Sequence, residues 1–205
     1  VMTTNSLMKS TLTISDMLQQ AKRQGHRALA LTDHDSLRGI IEFYEEAIKL
    51  DIKPIIGLTL NVEGVMQTNR YFPLVLIAKN IQGYEKLIQL STAYYLNDEQ
   101  PVKLSDIILF SEDLIVISPD TDGEIMALID TDDFISAEKL VQYLKDHLKN
   151  YYLGLSLQNK DDKKLSFYRQ VKVPLVALGN VQYLSPDDRL PTQVVRVLQS
   201  EMALG

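Results

Sequence analysis

Apolar residues recur at three- and four-residue intervals in several stretches of the chain, and short continuous apolar runs separate those stretches. Residues 12–25 carry Leu12, Ile14, Met17, Leu18 and Ala21 around Ser15 and Asp16, a spacing that predicts a capped amphipathic helix ended by Gly25. A short apolar strand follows at 28–32. The polar break Asp33-His34-Asp35-Ser36 ends it, and Leu37, Ile40, Ile41, Tyr44, Ala47 and Ile48 place a second helix over 36–50. The run 53–62 reads as another strand. The alternation continues with strands at 74–78, 114–118, 151–157 and 175–178 and helices at 81–95, 123–128, 137–149 and 160–171. Strands that alternate with helices predict parallel βαβ units. Periodicity leaves both a doubly wound sheet and a barrel open. In either architecture ligands bind beyond the carboxyl ends of the strands, so the residues just after each strand are the ones to weigh.

The 205 residues are ample for a buried core. No linker rich in Pro, Gly or Ser divides the chain, which leads us to expect one domain over 1–190. Pro186 and Pro191 precede a final helix at 192–204, whose apolar face (Val194, Val195, Val197, Leu198) has no evident partner in the sequence. That helix, and a start at Val1 rather than Met, hint at a segment of a longer chain. No apolar run approaches the ~18 residues of a membrane-spanning helix, and no secretory leader is visible. The expectation is therefore no membrane contact.

Charge and side-chain chemistry narrow the function classes. Lys and Arg number 21 against 27 Asp and Glu, a net charge of −6 that disfavours binding to a phosphate backbone by this segment alone. There is no Cys, which fits a cytoplasmic, reducing location, and there are three His, at 26, 34 and 147. A disulfide framework, a thiolate zinc module and a large His cluster are excluded. The densest ionisable cluster, Thr32-Asp33-His34-Asp35, sits where a strand hands over to a helix. His34 with Asp33 or Asp35 suits a metal ligand and its orienting carboxylate, whereas a purely structural role has Asp35 or Ser36 capping the helix. After the other strands stand Thr59, Pro73, Asp120, and the carboxamides Asn180 and Gln182, so converging catalytic groups are not visible. Gly57, Gly83 and Gly179 form no phosphate-binding run. Residues 130–133 lack the Gly and distal Glu of a calcium loop and read as an acidic turn, and 160–164 reads as a solvated helix start.

The stretch Ala28-Leu29-Ala30-Leu31-Thr32-Asp33-His34-Asp35-Ser36-Leu37-Arg38-Gly39, then Phe43-Tyr44, then Ile52-Lys53-Pro54-Ile55-Ile56-Gly57, resembles the PHP (polymerase and histidinol phosphatase) domain family. The likeness is to the version that opens bacterial DNA polymerase III alpha subunits of the DnaE type. It continues through Leu74-Val75-Leu76-Ile77-Ala78-Lys79-Asn80, Gly83-Tyr84-Glu85-Lys86-Leu87, Val173-Pro174-Leu175-Val176-Ala177 and Asn180-Val181-Gln182-Tyr183-Leu184. The resemblance implies an α/β fold, a distorted (β/α)7 barrel resembling a TIM barrel. It also implies, in active members, a cluster of about three metals for phosphoester hydrolysis.

Carried over residue by residue, the family's ligands are mostly missing. Met2 stands for the second His of the opening pair, Lys9 for an Asp, Thr59 for a Glu, Pro73 for a His, and Asn180 and Gln182 for the closing Asp and His. His34 with Asp33 remains, fewer than the three protein ligands of a minimal catalytic zinc site. The expectation is a degenerate pocket with no catalytic residue and no metal of its own. In it Lys9 hydrogen-bonds Asp33 or Asp35, and Asn180 and Gln182 complete a metal-free polar network. The resemblance further implies an intact protein that is a DNA-directed DNA polymerase using Mg2+, with residues 191–205 leading into its core. Its partners would be that polymerase core, replisome proteins, and DNA only through the intact protein. Two alternatives stand: a metal-dependent PHP phosphoesterase (a proofreading 3'-5' exonuclease or pyrophosphatase), and a free-standing phosphatase resembling histidinol phosphatase.

Overall fold

A computed structural model describes residues 1–6, 10, 12–156, 162–179 and 181. The chain divides into two compact units, one formed by Val1–Leu58 with Asn180–Gly205 and the other by Thr59–Gly179. The expected helix at 192–204 and the boundary at 190 lie outside the described residues.

In the first unit, helix α1 (Ile14–Arg23) begins at Thr13, whose hydroxyl accepts from the Asp16 N–H at 3.2 Å and donates to the Asp16 carboxylate at 2.6 Å. Such a reciprocal cap satisfies a donor that the first helical turn leaves unpaired. The expected apolar face is the buried one: Ile14, Met17, Leu18 and Ala21. Gly25, at φ +76°, turns the chain out of the helix in the left-handed conformation that glycine adopts without a Cβ clash, and the His26 N–H returns to the Ala21 carbonyl at 2.9 Å. Strand β1 (Ala28–Leu31) then pairs in parallel with β2 (Lys53–Glu63), Leu31 opposite Ile56. Helix α2 (Ile40–Lys49) connects them and buries Ile40, Phe43 and Ala47. It starts four residues later than the periodicity predicts. Gly39 is its N-cap with no side-chain bond, the Ser36 hydroxyl accepts from the Arg38 N–H instead (3.2 Å), and Asp35 takes φ +60°. The capping role considered for Asp35 or Ser36 is therefore corrected: both belong to the turn ahead of the helix.

The second unit contains the rest of β2, then β3 (Tyr71–Ala78), α3 (Ile81–Leu96), α4 (Leu104–Leu109), β4 (Leu114–Ser118), α5 (Glu124–Asp130), α6 (Phe134–His147), β5 (Tyr151–Leu155), α7 (Asp162–Gln170) and β6 (Leu175–Ala177). Strands β4, β5 and β6 are parallel, as expected. The pairing of β3 with β4 is antiparallel, with Val75 opposite Ile117, and corrects the expectation of parallel units throughout. The reason lies one strand earlier, in the 64–70 connection that joins β2 to β3 and is closed by the Gly64 N–H on the Arg70 carbonyl at 2.9 Å. A segment that short cannot make the crossover that parallel neighbours need, so the chain turns back on itself. Helix α4 is too brief to show a period in the sequence. Sheet neighbours follow chain order, β1 through β6, without the reversal that marks a doubly wound sheet. The architecture left open by periodicity is thus decided in favour of barrel-type winding.

Helix α3 packs very close to the chain entering β4. Asn80 caps it by accepting from the Gly83 N–H (2.8 Å), and a Cβ at Gly83 would stand 2.3 Å from the Asp113 carbonyl. Both the helix and that carbonyl, which accepts from the Lys79 N–H at 3.0 Å, are fixed by backbone bonds. Gly83→Ala is expected to lower stability by about 1–3 kcal/mol, the usual cost of overpacking, and to lower the urea midpoint accordingly. An unchanged midpoint would show that this approach relaxes freely.

Candidate functional site

Two buried carboxylates stand just beyond strand ends, one in each unit. Asp33 is 2% exposed and lies two residues after β1. One of its oxygens accepts from the Thr3 N–H at 2.5 Å and the Ser6 hydroxyl at 2.6 Å; the other accepts from the Thr3 hydroxyl at 2.7 Å. Ser6 in turn accepts from the His34 N–H at 3.0 Å. The opening segment is also tied alongside β1, with the Thr32 N–H on the Val1 carbonyl at 2.9 Å, and the Met2 N–H reaches the Val181 carbonyl at 3.3 Å. The His34 ring is half-buried, its Nδ1 4.0 Å from the Asp35 carboxylate.

In the second unit, Asp120 follows β4 and is 1% exposed. The same oxygen accepts from the Ser156 N–H at 2.5 Å, just past β5, and forms an ion pair with the ammonium of Lys164, which is 0% exposed. Around the pair, the buried Tyr151 hydroxyl donates to the Ser118 hydroxyl at 2.9 Å. Burial pushes the Tyr151 phenol far up; Tyr168 is raised as well, by burial and then by the Asp120 charge, so both stay protonated. Lys164 corrects the reading of 160–164 as a solvated helix start. It shares the buried face of α7 with Phe167 and Tyr168, at the i, i+3 and i+4 spacing that puts side chains on one side of a helix.

The other residues expected in the pocket divide as follows. Thr59 is buried in β2 between Leu58 and Leu60. Pro73, half-buried in β3, lines a small cleft with Val62, Phe72, Leu74, Leu140 and Leu144, bordered also by Glu63, Ser118 and Glu124, and its own ring offers no ligand atom. Lys9, Asn180 and Gln182 lie outside the described residues. The donors on Asp33 in the structure are hydroxyls and a backbone N–H, a solution the sequence reading did not consider. His26 is exposed beside Gln24, and His147 is exposed with Nδ1 2.8 Å from the Tyr143 carbonyl. A third carboxylate went unnoticed in the sequence: Glu124, at the start of α5, accepts from the N–H groups of Val65 (2.9 Å), Met66 (2.6 Å) and Gln67 (2.8 Å) and holds the 64–70 turn. The acidic turn at 130–133 is as read. Asp133 caps α6, its carboxyl held below the usual range by hydrogen bonds from Ser136, and exposed Asp132 meets Lys163 at 2.6 Å.

The metal cluster implied by the resemblance does not fit these donors. Both oxygens of Asp33 already accept hydrogen bonds from Thr3 or Ser6, and Asp120 is paired with Lys164. Met2 offers a thioether and Thr59 a hydroxyl where hard or borderline cations favour carboxylate and imidazole. Among the described residues, no three His, Asp or Glu side chains gather into a group able to hold a metal ion.

The comparisons with known proteins agree with the strand order. The family model of the PHP domain matches residues 1–160. A DNA polymerase III subunit alpha of Halalkalibacterium halodurans is 28% identical over 200 residues, covering 95% of this chain and 18% of that protein. Those of Borreliella burgdorferi and Thermus aquaticus are 31% and 30% identical over 93% and 97% of the chain. The chain spans about 18% of the length of these curated relatives. Among solved structures, an amidohydrolase from Chromobacterium violaceum matches with a TM-score of 0.57 at 12% identity, over 95% of this chain and 94% of that one, a likeness of fold alone. The fold class is the α/β barrel type that the family resemblance implies. Among the described residues, no helix is long and apolar enough to cross a membrane.

The Asp33 contacts make a direct prediction. Asp33→Asn puts an NH2 group in place of one accepting oxygen, against either the Thr3 hydroxyl or the Thr3 N–H and Ser6 hydroxyl, so stability is expected to fall by on the order of 2 kcal/mol. A faster proteolytic cut within residues 1–10 should accompany the lower urea midpoint. Unchanged values for both would mean that these bonds do not hold the opening segment.

Proposed function

Because the chain belongs to the PHP domain family, we propose that it is the PHP domain of a DNA polymerase III alpha subunit and serves there as a non-catalytic structural and interaction module for DNA replication. The observation that carries the polymerase assignment is the similarity to alpha subunits over 95% of the chain. The intact protein would be a cytoplasmic DNA-directed DNA polymerase using Mg2+. Its core would be the first partner of this domain, and the DNA contacts would lie elsewhere in the polypeptide, in keeping with the −6 charge.

The way the carboxylates are used supports the non-catalytic role. A hydrolytic site of this family needs several clustered metals, and the two buried carboxylates beyond strand ends accept from Thr3 and Ser6 in one case and from Ser156 and Lys164 in the other. What these groups do instead is fix the loops that leave the strands. A single imidazole beside one such carboxylate has neither the ligand count nor the charge for a two- or three-metal reaction.

Two measurements test this. Protein produced in Mn2+-supplemented medium is expected to hold far less than stoichiometric Mn or Zn and to leave 5'-labelled single-stranded DNA intact in the presence of Mn2+. Stoichiometric metal, with 3'-5' degradation that disappears in His34→Ala, would establish the phosphoesterase alternative. The coding sequence downstream of Gly205 is expected to carry the clustered Asp residues of a polymerase palm, and a stop codon there would refute the polymerase assignment.

A further inference from the structure

We propose that Lys164 is a built-in cation: its ammonium fills, at the carboxyl ends of β4 and β5, a latent cation site on Asp120 that a free ion would otherwise occupy. The inference deepens the metal-free reading and rests on it.

The position is the first ground. β4 and β5 are parallel, and Ser118, Asp120 and Ser156 stand at or just past their carboxyl ends. That rim is where α/β folds bind ligands. The second ground is the state of Asp120. A carboxylate 1% exposed needs donors or a counter-charge, and among the described residues the counter-charge it is given comes from an ammonium that is itself 0% exposed. Tyr168, on the same face of α7 as Lys164, and Tyr151, bonded to Ser118, stay neutral phenols, so the pair carries one negative charge and one positive charge supplied from α7.

The third ground is energetic. Buried ion pairs are commonly no more stabilising than apolar residues of the same volume, whereas removing one partner alone is costly. A pair of this kind is therefore poorly explained by stability. It is well explained by a carboxylate at a ligand position whose charge the fold satisfies with a tethered cation. Such a cation does not dissociate, and its presence closes the site to an ion from solution.

The test uses the protein with Lys164→Ala, which removes the ammonium and leaves its space. Its melting temperature is expected to fall below that of the parent protein. Ethylammonium or Mn2+ at about ten times its dissociation constant should then raise it by about 3–6 °C, compared with NaCl at equal ionic strength. If the variant folds only poorly, the same additives should raise its refolding yield several-fold over NaCl. The double variant Asp120→Asn with Lys164→Met should melt near the parent and respond to neither additive. Rescue no better than NaCl, or an equal response from the double variant, overturns the proposal. The metal-free reading fails by a different result, stoichiometric metal in the parent protein, so the two failures are separable.

Discussion

A carboxylate taken out of water has to be given donors or a cation, and much of the local architecture here follows from that requirement. In one unit Asp33 draws the opening residues over the end of β1, because Thr3 and Ser6 are the groups that satisfy it. In the other, Asp120 fixes the chain after β5 through the Ser156 N–H and holds α7 through Lys164. Glu124 does the same for the 64–70 turn with three backbone donors. Each of these acids anchors a connection in addition to the backbone bonds that hold it.

The choice of partner has consequences for how the domain behaves. Metal ligands must be deprotonated and a metal must be present, which couples folding to pH, to chelators and to supply. Hydroxyls, backbone N–H groups and a lysine are part of the chain and impose no such coupling. A PHP domain satisfied in this way holds its strand-end connections by groups of its own chain.

The parts of the structure that were legible in the sequence are those governed by a period. Residues Met17, Leu18 and Ala21 on α1, and the apolar runs that became β1, β4 and β6, occupy the faces and positions their spacing implies. The antiparallel β3 was not legible, because its direction is set by the length of the 64–70 turn rather than by its own residues. Nor was the late start of α2, where the Ser36 hydroxyl takes a turn bond that competes with helix capping. Of the site, Asp33, His34 and Asp120 were visible as polar breaks after strands. Lys164 was missed because a lysine in a mixed charge run reads as solvated. Its signal was positional, the shared spacing with Phe167 and Tyr168, together with an acid that needed a counter-charge.

The protein's own donors, and not metal ions, are what we propose satisfy the carboxylates at the strand ends. The most direct test is a crystal structure of the protein grown with millimolar Mn2+, with anomalous data collected at the manganese edge. The account predicts no anomalous peak within coordination distance of Asp33, His34 or Asp120, and continuous density from Lys164 to Asp120. A manganese ion bound to any of these side chains, with Lys164 turned away, would contradict it.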